Sequence, residues 1–203
     1  VLIDTDLISL NTWPQMAKDA GLNCIGIGPS TAIPSYIRDF LNAEKGQAFV
    51  AECKRLGIDI EHELHAMSDL LPRSLFKSNP AMFRMNSKGE RTPDFNCCAH
   101  SGQGMQVICE NVVRIASQLT STTGRYYFWF DDINDTGVKC YCPECNAYSV
   151  SDQCLIVENQ MVRALRNHVN PQAQLAHLAY QTYLAAPTQV TPEKGVFLEF
   201  APL

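Results

Sequence analysis

The sequence has few basic residues and no long apolar run. Lysine and arginine together number 16 against 21 aspartates and glutamates, which gives a formal net charge of −5. Proteins that bind a phosphate backbone carry a basic surface, so this balance argues against nucleic acid as a partner. No apolar stretch approaches the roughly 20 residues that a membrane-spanning helix requires. We therefore expect neither a nucleic-acid partner nor a membrane span.

Leader and phosphate-binding motifs are also missing. The sequence opens on Val1 with neither a methionine nor a basic region, so we expect that it lacks a signal peptide and is a processed or truncated piece of a longer parent chain. Gly26-Ile-Gly28 lacks the third glycine of a dinucleotide-binding loop, and no Lys-Ser or Lys-Thr pair follows a glycine-rich loop. These absences argue against a nucleotide-binding, doubly wound sheet.

The 203 residues, of which 46% are hydrophobic, suffice for a folded domain in which apolar runs alternate with helix signals. The runs predict strands at 1–6, 23–28, 58–65, 124–132, 174–180 and 196–200. Apolar spacing and capping residues predict helices at 12–21, 34–56, 108–119 and 149–170. This α/β alternation, with polar residues at the strand ends, favours a TIM-like (β/α) barrel over a doubly wound sheet. Because a complete barrel takes about 250 residues, we predict a single catalytic-type domain over 1–203 with about six strands, truncated at its C-terminal side.

Three of the nine cysteines crowd into Cys140-Tyr-Cys142-Pro-Glu-Cys145. A C-P-x-C turn points two thiolates inward, and a third sulfur two residues earlier can join them on one tetrahedral ion. Cys98 or His100, in the long connection before strand four, can supply a fourth ligand. The cluster therefore predicts either a structural zinc site or, in an oxidising compartment, a disulfide. In either case we expect no cofactor to be required for catalysis.

Two adjacent carboxylates, Asp131 and Asp132, end the most apolar strand of the sequence. Neighbouring carboxylates do not both ionise easily, so one can stay protonated beside an ionised partner. This pairing suits cleavage of a glycosidic bond, and Trp129 offers an apolar face for a sugar ring. The alternative is a helix cap or a turn, because Asp-Ile-Asn-Asp is also favourable turn sequence.

The third strand has two unlike faces, because side chains alternate along a strand. One face carries four polar residues, Asp59, Glu61, Glu63 and His65. Glu63 and His65 lie nearest the carboxyl end of the strand, where barrel enzymes place their sites, and are candidates for substrate binding. For Asp59 and Glu61, ion pairs with nearby bases are an equal alternative.

Several motifs, in one order over most of the chain, resemble a bacterial glycan-degrading family first catalogued as domain of unknown function 4838. Part of that family forms glycoside hydrolase family 163. The motifs are Glu63-Leu-His65-Ala66, Asn79-Pro80-Ala-Met-Phe83, Lys88-Gly-Glu-Arg91, Asn96-Cys-Cys98, Tyr127-Phe-Trp-Phe-Asp131-Asp132, Cys140-Tyr-Cys142-Pro-Glu-Cys145 and Leu178-Ala-Tyr180-Gln. The stretch from the aromatic strand through the cysteines is the most specific.

The resemblance implies a TIM-like barrel, an extracytoplasmic location and endo-β-N-acetylglucosaminidase activity on N-glycans. The acetamide of the substrate would act as the nucleophile, one of Asp131 and Asp132 would steady it, and the other would protonate the leaving oxygen. Glu63, His65 and Tyr180 would line the sugar pocket, and we add Trp129 and Glu199 as substrate-binding candidates. The expected partners are a carbohydrate substrate and the remaining domains of the parent chain.

Two other functions stay open. A carbohydrate-binding or structural barrel fragment without turnover would not need a protonated acid. A hydrolase of uronic acid glycosides would call for basic residues at the strand ends, and the sequence places few there.

Overall fold

Six strands and six α-helices alternate through the residues that the computed structural model describes, 1–5, 12–133 and 138–201. The strands are β1 (Leu2–Asp4), β2 (Cys24–Gly28), β3 (Asp59–His65), β4 (Arg125–Trp129), β5 (Gln174–Ala179) and β6 (Val196–Phe200). The helices are α1 (Trp13–Asp19), α2 (Ile33–Tyr36), α3 (Glu44–Leu56), α4 (Met67–Leu70), α5 (Gly102–Ala116) and α6 (Val150–His168).

The strands form one sheet in chain order, from β1 to β6. The pairs β1–β2, β2–β3 and β5–β6 are parallel, with Ile3 opposite Ile27 and Leu175 opposite Val196. The predicted six-stranded α/β fold is therefore confirmed. Residue 6, the last of the predicted first strand, lies outside the described residues. No helix in the described segments is long and apolar enough to cross a membrane.

The chain divides into two compact units. The first comprises Val1–Leu64 with Ile115–Tyr127, and the second comprises His65–Arg114 with Phe128–Leu203. The single domain expected over 1–203 stays a prediction.

In the first unit, β2 is buried, with Ile25 and Ile27 fully enclosed. The predicted helix at 34–56 is present but interrupted: α2 continues into a π-helical turn, Ile37–Leu41, before α3 begins at Glu44. A Cβ at Gly46 would overlap the carbonyl oxygen of Phe40, so only a glycine permits this tight turn. α3 ends at Gly57, whose φ of 67° is the left-handed conformation common at helix ends.

In the second unit, the predicted long connection after β3 contains α4 and two short 3-10 helices, Arg73–Lys77 and Pro80–Met82. α6 begins at the predicted cap, Ser149, whose hydroxyl accepts a hydrogen bond from the Asp152 amide while the Asp152 carboxylate accepts one from the Ser149 amide. The chain then passes through β5 to β6, whose Leu198 and Phe200 are exposed.

Candidate functional site

Asp131 and Asp132 follow the end of β4 in the second unit and differ in environment. Asp131 is half-buried, whereas Asp132 is exposed. The preceding residues of the strand, Tyr127 and Phe128, are buried, so the chain passes from an apolar wall to the carboxylates within four residues.

Asp131 is fixed by partners from the connection after β3. Its Oδ2 accepts hydrogen bonds from Arg73 Nη2 at 2.6 Å and from the Asn96 amide at 2.5 Å. The Asp131 amide in turn donates to Asn96 Oδ1 at 3.0 Å. A guanidinium and a backbone amide therefore share one carboxylate oxygen, which fixes the orientation of the Asp131 side chain.

Tyr183 closes the same network. Its hydroxyl donates to the Asp131 carbonyl oxygen at 2.8 Å and accepts from Asn96 Nδ2 at 3.1 Å. Burial raises the pKa of Tyr183 well above its ordinary value, so the hydroxyl keeps its proton and remains a donor. Asn96 is itself buried and has a φ of 45°, a left-handed conformation that asparagine tolerates better than most residues.

Four of the predicted site residues line one small cavity in the second unit. They are His65, Asp131, Asp132 and Tyr180. The cavity measures about 10 Å³, roughly the room for one water molecule. His65 Nδ1 lies 3.1 Å from the Phe130 carbonyl oxygen, which can only accept, so Nδ1 carries the proton and neutral His65 has its lone pair on Nε2.

A buried acid and base lie behind the cavity. Glu158 of α6 also lines it, and His177 Nδ1 of β5 lies 2.6 Å from Glu158 Oε2. Burial raises the pKa of Glu158. Burial by itself would lower the pKa of His177, but the hydrogen bond and charge of Glu158 raise it. Because the pKa values of both Glu158 and His177 are raised, the pair keeps its shared proton to a higher pH than a free histidine would.

Trp129 connects two further predicted residues. Its indole Nε1 donates to Glu199 Oε2 at 2.8 Å, and its ring meets His65 edge-to-face with centroids 5.1 Å apart. The hydrogen bond fixes the indole plane, and the remaining ring surface is half-buried. The second unit therefore brings His65, Trp129, Tyr180 and Glu199 into the same region as the two aspartates.

Glu63 belongs to the first unit. It is half-buried on β3, and a Cβ added to Gly26 of β2 would overlap its Oε1. Asp59 accepts a hydrogen bond from Thr122 at 2.7 Å. Glu61 accepts one from Tyr127 at 2.7 Å and lies 3.9 Å from the guanidinium of Arg125. The ion-pair alternative raised for Glu61 is therefore present.

The cysteine cluster in the second unit has four buried sulfurs that lie within 4.8 Å of one another, those of Cys98, Cys140, Cys142 and Cys145. Cys98 Sγ is 3.6 Å from Cys142 Sγ and 3.8 Å from Cys145 Sγ. A tetrahedral ion with metal–sulfur bonds of about 2.3 Å separates its sulfurs by roughly 3.8 Å. The cluster could therefore hold a metal ion.

The disulfide alternative is wrong for this structure. All nine cysteines lie in the described residues and all are free, and the sulfur separations in the cluster are far above the roughly 2.05 Å of a disulfide. Cys98 supplies the fourth sulfur. His100 is the neighbour instead, with Nδ1 3.2 Å from Cys145 Sγ.

Donor groups surround the cluster. The Met85 amide donates to Cys140 Sγ at 3.3 Å, and the Arg91 guanidinium lies 3.9 Å from the same atom. Hydrogen bonds from Cys140 and Cys145 lower the pKa of Cys98, whereas burial raises the pKa of Cys142 to about 11 and the hydrogen bonds of Cys140 and Cys98 raise that of Cys145. The Gln153 side chain accepts from the Cys140 amide and donates to the carbonyl oxygens of Cys140 and Cys145, which fixes the loop.

The sequence did not identify Arg73, Tyr183 or Glu158 as site residues, and it showed Asn96 only as part of a family motif. Arg73 lies 58 residues before Asp131 and Tyr183 lies 52 after it, within segments without regular periodicity. The Asn96-Cys-Cys98 motif was the available signal.

These features define an α/β protein that has two adjacent carboxylates at the end of a strand and a cluster of four cysteines. The model of the family "Domain of unknown function (DUF4838)" matches residues 35–203, and the chain belongs to this family. A search of curated proteins finds no match.

Among solved structures, the chain is similar to the virulence factor SghA from Agrobacterium tumefaciens, with 15% identity and a TM-score of 0.40. It is also similar to SghA in complex with its substrate analog salicin, with 16% identity and a TM-score of 0.42. Each match covers 84% of this chain and 37% of SghA, so this chain spans about a third of the length of those proteins.

Proposed function

We propose that the chain is the site-bearing part of a glycoside hydrolase that acts on N-acetylglucosamine-containing glycans. The proposal rests on a difference in environment between two adjacent carboxyl groups. Asp131 is hydrogen-bonded to Arg73 and Asn96, whereas Asp132, at the same cavity, is exposed. A carboxyl group held in one orientation suits the charge-stabilising partner, and the exposed one beside it suits the group that exchanges a proton with the leaving oxygen and with water.

In this proposal the substrate acetamide oxygen attacks the anomeric carbon as the glycosidic bond breaks. Asp132 acts as the proton donor to the leaving oxygen, and the oriented Asp131 side chain stabilises the positive charge that develops on the acetamide. Water then opens the cyclic intermediate, with Asp132 accepting the proton. The stereochemical outcome is retention, in line with the resemblance to glycoside hydrolase family 163.

The substrate-binding role belongs to side chains around the aspartates. Trp129 offers a ring face held by Glu199, and His65 and Tyr180 offer polar atoms at the cavity. Glu63, which lies in the first unit, stays a predicted substrate-binding residue. We assign the six strands to one part of a (β/α) barrel.

For the cysteine cluster we propose a structural zinc ion with Cys98, Cys140, Cys142 and Cys145 as ligands. Four thiolates in tetrahedral spacing form a closed set that leaves no position for a substrate, so the ion would stabilise the fold rather than act in catalysis. We also propose the extracytoplasmic location that the family resemblance implies.

The experiment compares two substrates in the full-length protein. Asp132→Asn should slow release of an N-glycan from a glycopeptide by roughly 10²- to 10⁴-fold, yet retain most turnover of 4-nitrophenyl N-acetyl-β-glucosaminide, whose leaving group needs no proton. Asp131→Asn should lose turnover of both. Glu110→Gln, which changes an exposed carboxylate on α5, is the control and should act like the unaltered protein.

A second candidate is carbohydrate binding without turnover. The Trp129 ring, held by its hydrogen bond to Glu199, favours it because stacking against a sugar face needs neither an acid nor a nucleophile. Sugar binding without released glycan from the unaltered protein, measured by calorimetry and mass spectrometry, would support this candidate and contradict the hydrolase.

A further inference from the structure

We propose that Arg73 and Asn96 are positioning residues that hold the Asp131 carboxylate in one orientation with a single oxygen presented to the substrate. The proposal rests on the proposed function, because it assigns these residues to the reaction through Asp131. Neither residue is expected to touch the substrate.

Arg73 bridges two segments with one planar group. Nη2 donates to Asp131 Oδ2 at 2.6 Å and Nη1 donates to the Asn96 carbonyl oxygen at 2.8 Å. The side chains of Arg73 and Asp131 are 23% and 21% exposed, so water screens this ion pair only in part. A lysine ammonium is a point charge on a flexible stem and does not reproduce this fork.

Asn96 and Asp131 bind each other reciprocally. The Asn96 amide donates to the Asp131 carboxylate, and the Asp131 amide donates to the Asn96 side chain. Asn96 adopts a left-handed backbone conformation, with φ of 45°. Glycine adopts that conformation easily, so Asn96→Gly should keep the backbone donation to Asp131 Oδ2 without straining the loop. The variant removes the side-chain contacts with the Asp131 amide and the Tyr183 hydroxyl, which fix the backbone that carries the carboxylate.

Both donors converge on Oδ2 of Asp131. Among the described residues none donates a hydrogen bond to Oδ1, which leaves that oxygen for the substrate. An oriented carboxylate stabilises charge that develops in the transition state without reorganising at that moment. Loss of the orientation should therefore lower kcat and leave KM nearly unchanged.

The test measures kcat and KM for 4-nitrophenyl N-acetyl-β-glucosaminide in the full-length protein. Arg73→Ala, Arg73→Lys and Asn96→Gly should each lower kcat by roughly 10²-fold, the scale of a misplaced catalytic group, with little change in KM. Added guanidinium chloride should restore part of the kcat of Arg73→Ala and none of that of Asn96→Gly. A kcat unchanged in all three variants would overturn the proposal.

Arg84→Ala is the matched control. Arg84 is a buried arginine of the same unit, and its carboxylate partner is Asp94 rather than Asp131. Its loss should lower thermal stability but leave kcat per folded molecule unchanged, which separates positioning from general destabilisation. An equal fall of kcat in Arg84→Ala would also overturn the proposal.

The two proposals fail in different ways. If the unaltered protein neither releases an N-glycan from a glycopeptide nor turns over the N-acetylglucosaminide, the proposed function is wrong and this inference falls with it. If Asp131→Asn lowers kcat while Arg73→Ala and Asn96→Gly do not, the proposed function stands and only the positioning is wrong.

Discussion

At Gly26 a missing side chain makes room for a carboxylate. A Cβ at this position of β2 would overlap Oε1 of Glu63, which is the far end of a flexible side chain. Gly26→Ala should therefore displace Glu63 while changing the free energy of unfolding by less than about 1 kcal/mol. If Glu63 binds the sugar, KM for the N-acetylglucosaminide should rise.

Gly46→Ala provides the contrast, because its Cβ would overlap the Phe40 carbonyl oxygen, a backbone atom that cannot rotate away. We expect it to cost about 1–3 kcal/mol, as overpacking does. Urea unfolding of both variants tests whether Gly46→Ala lowers the free energy of unfolding more than Gly26→Ala does. A Gly26→Ala protein with unchanged KM would argue against Glu63 as a binding residue.

Among individual residues, the sequence predicted those whose near neighbours in the chain mark them as unusual. Asp131 and Asp132 stand out because they end an apolar strand, and the cysteines because their spacing fits a metal knuckle. Arg73 and Tyr183 carry no such signal: they meet Asp131 across 58 and 52 residues, and only the folded backbone brings them together.

Among the elements, one carboxylate, that of Asp152, binds both the first turn of α6 and the loop at residues 188–190. Asp152 Oδ2 accepts from Ser149, and Oδ1 accepts from the amides of Thr188, Gln189 and Val190 at 2.9, 2.9 and 3.0 Å. Burial would raise the pKa of Asp152, but these hydrogen bonds lower it to about 2. The helix start and residues 188–190 therefore depend on an ionised group.

Asp152→Asn should lower the free energy of unfolding at pH 7 by about 2 kcal/mol. Because the folded pKa lies below the unfolded one, this stabilisation is present above pH about 4 and is lost as the pH falls toward about 2. Urea unfolding from pH 7 downward should show the difference between the variant and the unaltered protein narrowing below pH 4. Asp19→Asn, an exposed carboxylate on α1, should show no such difference, and a pH-independent difference for Asp152→Asn would contradict the assignment.

The elements themselves were largely predictable. β6 matches its predicted range, 196–200, and α6 begins after the predicted cap because Ser149 and Asp152 form a local motif. The break between α2 and α3 was missed, since it depends on the contact of Gly46 with Phe40 rather than on periodicity. The short helices after β3 were also missed, because prolines obscure any repeat there.

For the whole molecule, the proposed zinc ion should act as a cross-link between the segment at Cys98 and the loop at 140–145. Removing it with a chelator exposes four thiolates to each other and to water. A loss of about 3 kcal/mol would lower the melting temperature by roughly 6–12 °C for a chain of this size. Calorimetry with and without chelator measures the shift.

Cys142→Ser should abolish the response to chelator, whereas Cys109→Ser, which lies outside the cluster, should keep it. A melting temperature that is the same in metal-loaded and metal-stripped protein would contradict a structural ion. Since Asn96 precedes Cys98 by two residues, the stripped protein should also lose part of its kcat.

Burial divides the nine cysteines into groups that a thiol-reactive dye would count. Cys24 and Cys109 are half-buried, Cys53, Cys97 and Cys154 are buried in the core, and the other four form the cluster. Burial raises the pKa of Cys53 to about 12, that of Cys24 to about 11 and also that of Cys109, so all three react slowly at neutral pH, and accessibility decides which of them the dye reaches first. Two equivalents of dye should react with the native protein, four more after chelation and the last three in denaturant, so one titration would report metal occupancy and folded fraction together.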